Sequence, residues 1–472
     1  MLAFKSATEL AQMLRDRQIS AKELFAEYKA RADRFNKQLN AIIWNDPNAE
    51  GRARDADAGS LLAGLPMTVK ESFDVTGAPT TWGIPELRNN IAATDSVVVE
   101  RMRAAGANVF GKTNVPLNLG DFQSYNVIYG TTNNPWDNGR TPGGSSGGSA
   151  SALAAGLTAL EIGSDIGGSI RNPAHFCGVF GHKPTYRLIP ARGHAPPGVL
   201  AEPEIAVVGP LARSAADLDL ALDILAKPDR LETGLSYDLP RLDGRTLSDL
   251  KVAVWANDAV APVSRDVERG VQKVADALRR AGAAVNADAR PAFSAAISHA
   301  TYQDLLFAYL SIAVPDPAFA ELKAQTLNLA PDDQRPELAM LRAQTMDHRR
   351  WVQQNEAREK LRWAWRNFFD QYDVLVAPIM ATAAFPHDQS PMESRTIDVD
   401  GSPRPYFEQV FWAGLPGVAY LPATMIPTGN NAAGLPIGVQ IIGPAYGDRI
   451  TIGVARLLEA EGFAFTPPPA YA

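Results

Sequence analysis

A chain of 472 residues with 46% hydrophobic and 21% charged side chains has enough apolar mass for a large core, which excludes long disordered stretches. Its 45 basic and 52 acidic side chains give a formal charge of -7, which offers a nucleic acid no electrostatic reason to bind. The single cysteine, Cys177, excludes an intrachain disulfide and any multi-cysteine metal site.

The N-terminal stretch carries charges at Lys5, Glu9, Arg15, Asp16 and Arg17, leaving no room for a secretory apolar core, so a cytoplasmic protein is expected. Leu10, Met13 and Leu14, then Leu24, Phe25 and Tyr28, recur at helical spacing on either side of Ser20, an N-cap with Glu23 three residues on; two opening helices are predicted within residues 7–35. From Leu65 the texture changes to short strands and turns. LPMTVKE reads as a strand, DSVVVERMRAAG as a helix and ANVFG as a strand, the alternation of a layered α/β fold, and it persists to about residue 225.

KVAVW (251–255) and a helix with Val267, Val271, Val274 and Leu278 on one face extend the same sheet. Residues 300–373 read as mostly helical, with the cluster WAWRNFF at 363–369. Between Asp347 and Asp373 six basic residues face five acidic ones, so this is a solvated mixed-charge face whose aromatics pack on the core rather than stack on bases. The longest uncharged stretch, Gln409 to Gly447, is broken by Pro416, Pro422, Pro427, Pro436 and Pro444 into pieces too short to span a membrane. AYLPATMI and IGVQIIG read as central strands, followed by a closing helix at 449–461. No internal repeat is visible.

Three candidate chemistries can be read from the motifs. GANVFGKT (106–113) matches the phosphate-loop pattern, but its spacer ANVF itself reads as the strand and Pro116 follows where a helix should start. GGSSG, with Gly143, Ser145 and Gly147, has the spacing of the nucleophile elbow of α/β-hydrolases, but the turn-rich TTNNPWDNGRTPG precedes it instead of a strand, and the late histidines His299, His348 and His387 lie in no triad context. In GSDIGGSIRNPAHFCG (163–178), Ser169 follows Gly167 and Gly168, whose bare backbone N–H groups can approach an oxyanion above the serine. Upstream, GLPMTVKES places Lys70 at the end of an apolar strand, where desolvation favours the neutral amine, a form able to act as a base.

Taken together, GLPMTVKES, GGSSGGSA and GSDIGGSIRNPAHFCGVFGHKPT resemble, in that order, the motifs of the amidase signature enzymes, amide hydrolases with a Ser-Ser-Lys triad. The closing AGLPGVAYLPATMIPTG and GLPIGVQIIGP are similar too, so the likeness runs from about residue 5 to 465 and weakens between about 225 and 400. The resemblance implies an α/β fold with a large twisted mixed sheet covered by helices on both faces. One domain spans 1–472: N-terminal helices (1–60), the signature core (61–224), a variable, mostly helical region shaping the substrate entrance (225–400), and closing strands and helix (401–472).

Carried over residue by residue, the resemblance implies Ser169 as nucleophile, Ser145 as bridging serine after a cis peptide from Gly144, and Lys70 as base. It places the backbone N–H groups of Ile166, Gly167, Gly168 and Ser169 in the oxyanion hole. By position, the segment Leu119 to Tyr129 lines the acyl pocket, with Leu119, Gly120, Phe122 and Gln123 as substrate-binding candidates. For the lysine to be neutral, its pKa has to fall from about 10.4 to about 7, which costs on the order of 4 kcal/mol.

Cys177 is read as a packing thiol, Asp165 and Arg171 as a brace for the nucleophile loop, and His175, His182 and His194 as neither catalytic nor metal-binding. The resemblance implies no cofactor or metal, a small-molecule amide or carbamate substrate, and a monomer or homodimer with no nucleic-acid or membrane partner. Glu71 and Leu117 depart from the family's commoner Asp and Glu, which leans away from the GatA-type component of the tRNA amidotransferases. The expected activity is that of a serine amidohydrolase acting on an aryl amide or carbamate. The alternatives are that amidotransferase component, which works in a complex, and an α/β-hydrolase-type esterase.

Overall fold

Both opening helices, Ala7–Arg15 and Ala21–Leu39, start at capping boxes, Ser6 with Glu9 and Ser20 with Glu23. The second stops at Asn40, which takes the left-handed conformation (φ 51°). In this computed structural model, which describes residues 1–330 and 338–472, the chain then enters the sheet.

In chain order the strands are β1 (Ile42–Asn45), β2 (Pro66–Lys70) and β3 (Asn108–Thr113), then β4 (Tyr125–Asn126) and β5 (Gly130–Thr131), which pair only with each other. They continue with β6 (Glu161–Asp165), β7 (Phe180–Lys183), β8 (Val207–Ala212), β9 (Lys251–Val254), β10 (Ala284–Asn286) and β11 (Val374–Ala377). A second separate hairpin, β12 (Thr396–Val399) and β13 (Ser402–Pro405), precedes β14 (Ala423–Asn430) and β15 (Pro436–Ile442). Eleven of them form one mixed sheet in the order β1-β3-β2-β6-β8-β7-β14-β15-β11-β9-β10.

The sheet is buried on both faces, so its strands lack alternation of apolar with polar and instead send successive apolar residues to opposite sides. Val252, Val254, Val374 and Val376 enter one core layer, whereas Ala253, Leu375 and Ala377 enter the other. The uncharged stretch from Gln409 becomes the helix Val410–Gly417 and the fully buried body of β14 and β15. Among the described residues no helix is long and apolar enough to cross a membrane.

The region between residues 225 and 400 is mainly helical, with helices at Arg265–Arg280, Ala295–Leu310, Asp316–Leu327, Ala339–Gln344 and His348–Phe368. It also supplies β9, β10 and β11 to the main sheet. The helical prediction for 300–373 partly falls on 331–337, outside the described residues. Within WAWRNFF, Trp365 and Phe368 are buried and Trp363 is exposed, as one face of a helix requires.

Two features of this frame position the site. β2 runs parallel to both β3 and β6, so Lys70 at the end of β2 and Asp165 at the end of β6 emerge at the same edge of the sheet. The helix Gly147–Ala154 is buried along its whole length, and its small residues let it lie directly on neighbouring backbone. A Cβ on Gly148 would overlap the backbone nitrogen of Asn114 and stand 2.7 Å from that residue's carbonyl oxygen.

A glycine-to-alanine change inside a helix ordinarily stabilises by about 0.5 to 1 kcal/mol. Gly148→Ala is expected to do the opposite and destabilise by about 2 kcal/mol or more, read as a lower denaturant midpoint at unchanged slope.

Candidate active site

Lys70 is the last residue of β2 and has no exposed surface. Its Nζ lies 2.6 Å from Ser145 Oγ and 2.9 Å from Ser164 Oγ. Burial pulls the amine's pKa down, against the opposing pull of Asp165 and Glu71, to about 7. A lysine held on two hydroxyls at that pKa can exchange a proton with them near neutrality.

Ser145 stands just before the Gly147–Ala154 helix, and the Gly144–Ser145 peptide is cis, as the resemblance implied. The loop is tied on three sides. Gly144 N donates to Asn172 Oδ1 (2.9 Å), Gly147 N to Ser124 Oγ (3.1 Å), and Ser146 N to the carbonyl oxygen of Ser169 (3.1 Å). The last bond bolts the Ser145 loop directly to the Ser169 loop. No strand precedes Ser145, so the nucleophile-elbow reading fails structurally: residues 132–144 run through turns.

Ser169 is 8% exposed, the most accessible of the three predicted residues, and sits between β6 and the helix Arg171–Cys177. Asp165 and Arg171 form the brace predicted for this loop. Arg171 donates to both carboxylate oxygens (Nε to Oδ2, 3.0 Å; Nη2 to Oδ1, 2.8 Å), with both side chains fully buried. Burial alone would raise the Asp165 pKa, but the Arg171 charge and its hydrogen bonds outweigh it and hold the group at about 2. Arg171 in turn reaches Gln440 Oε1 on β15 (2.8 Å), so the brace is anchored in the middle of the sheet.

The oxyanion assignment needs one correction. Gly168, at φ 104°, directs its N–H to Asp165 Oδ1 (3.0 Å), because the carboxylate also collects the Ile170 N–H (3.1 Å) and so draws this turn around itself. The N–H groups of Ile166, Gly167 and Ser169 carry no hydrogen bond among the described residues and are the three left to meet an anion.

The expected acyl-pocket segment is brought against the same loop: a Cβ on Gly144 would lie 2.7 Å from Gln123 N. Gln123 itself does not stand free for a ligand. Its amide is spent on the backbone of Asp388, donating to the carbonyl (2.6 Å) and accepting from the N–H (3.0 Å). Phe122 is buried against the rings of Tyr406 (5.5 Å) and Phe407 (5.6 Å), while Leu119 is half-buried and Gly120 exposed.

Ser164 was missed from the sequence. A serine beside Asp165 in a fully buried strand was the available signal, since a buried hydroxyl needs a partner and here finds the lysine. The remaining candidates fall away. Lys112 of the phosphate-loop look-alike is buried in β3, donating to the Pro79 carbonyl and to Thr80 Oγ1 (3.0 Å). Four imidazoles are engaged elsewhere: His175 with Gly438 N and Thr382 O, His182 with Thr424 and Asp448, His194 with Ser72, and His387 with Asn133. Cys177 is buried, which pushes its thiol well above the usual range. Among the described residues no three His, Cys, Asp or Glu side chains converge as metal ligands would.

Comparison with known proteins gives the family of the chain. The family model described as Amidase matches residues 23–452. The GatA-type component of the glutamyl-tRNA(Gln) amidotransferase from Deinococcus radiodurans is 32% identical, with 98% of each chain covered. An indoleacetamide hydrolase from Bradyrhizobium diazoefficiens is 31% identical over 96% of this chain and 86% of its own. The solved structure of 6-aminohexanoate cyclic dimer hydrolase complexed with substrate superposes with a TM-score of 0.81 at 26% identity over the full length of both chains. By sequence motif, by fold and by these relatives, the chain belongs to the amidase signature family of hydrolases acting on amide C–N bonds.

Proposed function

We propose that this amidase works as a serine amidohydrolase through an acyl-enzyme on Ser169, with Lys70 as base and Ser145 as the relay between them. The observation that carries the reading is the Lys70 amine, buried with no acidic partner among the described residues and set on two hydroxyls at 2.6 and 2.9 Å. Neutral Lys70 takes the Ser145 proton as Ser145 takes that of Ser169, whose Oγ bonds to the amide carbon. The carbonyl oxygen becomes the oxyanion and is met by the N–H groups of Ile166, Gly167 and Ser169. Collapse breaks the C–N bond as the proton returns through Ser145 to the leaving nitrogen. Water then attacks the ester with the same base and releases the carboxylic acid.

Within this class an aryl amide or aryl carbamate suits the site best. Phe122, Tyr406, Phe407 and Phe307 form a continuous run of ring contacts behind the 119–125 segment. A relative named for indoleacetamide, an amide with its ring on the acyl side, supports an aromatic substrate without favouring an anilide. A second reading has one observation in its favour: the full-length likeness to GatA-type amidotransferase components, proteins that share this fold and family.

The purified protein alone should release the coloured amine from a nitroanilide, and Ser169→Ala and Lys70→Ala should each lose about 10³-fold or more in kcat. Silence towards anilides and carbamates, with glutamine-dependent ammonia release appearing only on addition of the other amidotransferase components, would transfer the assignment to the second reading. The pH profile is a separate check. Because Lys70 must be neutral and its pKa is about 7, kcat/KM should rise with pH through that value and level off about one unit above it. A profile without this acidic limb would remove Lys70 from the role of base.

A further inference from the structure

Tyr302 lies far from the motifs, on the helix Ala295–Leu310 within the region where the family resemblance is weakest. It is fully buried, and its hydroxyl donates to the carbonyl oxygen of Ile166 at 2.7 Å. Its ring is laid against the helix Val410–Gly417 at two glycines. A Cβ on Gly414 would stand 2.7 Å from Tyr302 Cε1, and one on Gly417 would stand 3.6 Å from Cε2. The ring therefore has one seat, and that seat fixes where the hydroxyl points. Burial raises the phenol pKa, and the nearby Asp165 charge adds to the rise, so the hydroxyl stays protonated and can only donate to a carbonyl.

The Ile166 carbonyl belongs to the same peptide plane as the Gly167 N–H. In a trans peptide the C=O and N–H bonds point in opposite directions, so pinning one orients the other. The neighbouring peptide is pinned independently, by Gly168 N on Asp165. Between these two bonds the Gly167 N–H has no partner among the described residues, and because Gly167 has no side chain to restrict its backbone, the two flanking bonds are what set the direction of that N–H.

We infer that Tyr302 is a positioning residue for the oxyanion hole: by holding the Ile166 carbonyl it aims the Gly167 N–H at the oxygen that becomes charged in the transition state. This rests on the serine amidohydrolase reading above. Preorganised donors contribute because they need no reorientation when charge develops, so loosening one weakens transition-state binding and leaves substrate binding nearly untouched. The inference also gives the entrance region a direct mechanical hold on the chemistry, through one phenol.

Tyr302→Phe removes only the hydroxyl and keeps the ring in its seat. On a nitroanilide it should lower kcat about 10- to 100-fold with KM within about twofold. A trifluoromethyl ketone, whose hemiketal with Ser169 carries the oxyanion, should lose affinity by the same factor as kcat. In hydrogen–deuterium exchange the peptide spanning 163–170 should exchange faster in the variant, while the exchange of β14 and β15 stays as in the wild type.

An unchanged kcat, or a raised KM at constant kcat, would overturn the inference, the latter by making Tyr302 a substrate contact. Failure of the underlying reading looks different: Ser169→Ala would retain turnover, or the wild type would form no hemiketal. In that event the exchange experiment still decides, because unaltered exchange at 163–170 in Tyr302→Phe would show that the bond holds nothing in place.

Discussion

Everything at this site follows from placing a lysine amine where no water reaches it. An ammonium buried in that way needs a carboxylate partner or must give up its proton. Three acids are close enough to influence Lys70, and each is already bound elsewhere. Asp165 is clasped by Arg171, Glu71 accepts the backbone N–H groups of Thr81 (2.5 Å) and Trp82 (2.9 Å), and Glu161 takes the hydroxyl of Thr68. Glu161 is moreover driven by burial to a pKa of about 8, so it is mostly uncharged at neutral pH. With these three acids engaged, the amine is left to hydroxyls, and a lysine whose pKa lies near neutrality is the outcome of that deprivation.

Lys70 meets those hydroxyls only while they stay in register, and the two serine loops secure each other. Ser146 donates its N–H to the Ser169 carbonyl, while its hydroxyl meets both the N–H and the carbonyl of Ser164 at 3.4 Å. Asn172, one residue past Arg171, holds the Gly144 N–H. The glycine-serine run GGSSGGSA is thus tightly held, and its small residues serve close packing rather than flexibility.

What the sequence disclosed was whatever is local. The capping box at Ser20, the strand ending in Lys70, the strand hidden in ANVFGKT and the Asp165 to Arg171 brace are all encoded within a few residues, and each is found in place. What stayed hidden depends on partners distant in the chain. Nothing near Gln123 announces Asp388, and nothing near Ile166 announces Tyr302, 136 residues away. The Gly168 N–H was misjudged for a related reason. Composition said that bare glycine backbone was available there, but the turn needed to wrap that backbone around Asp165 consumes one of its donors.

The position of the last two strands in the sheet has a further consequence, one of timing. β14 pairs with β7 and with β15, so these late strands are inserted between the N-terminal part of the sheet and β11 rather than added at an edge. Gln440, which receives Arg171 and itself donates to the carbonyls of Pro378 and Trp412, follows Arg171 by 269 residues. A nascent chain therefore carries lysine, both serines and the aspartate long before the strand that anchors their brace leaves the ribosome. The strand that completes the anchoring of the brace is thus among the last segments to be translated, long after the groups it holds.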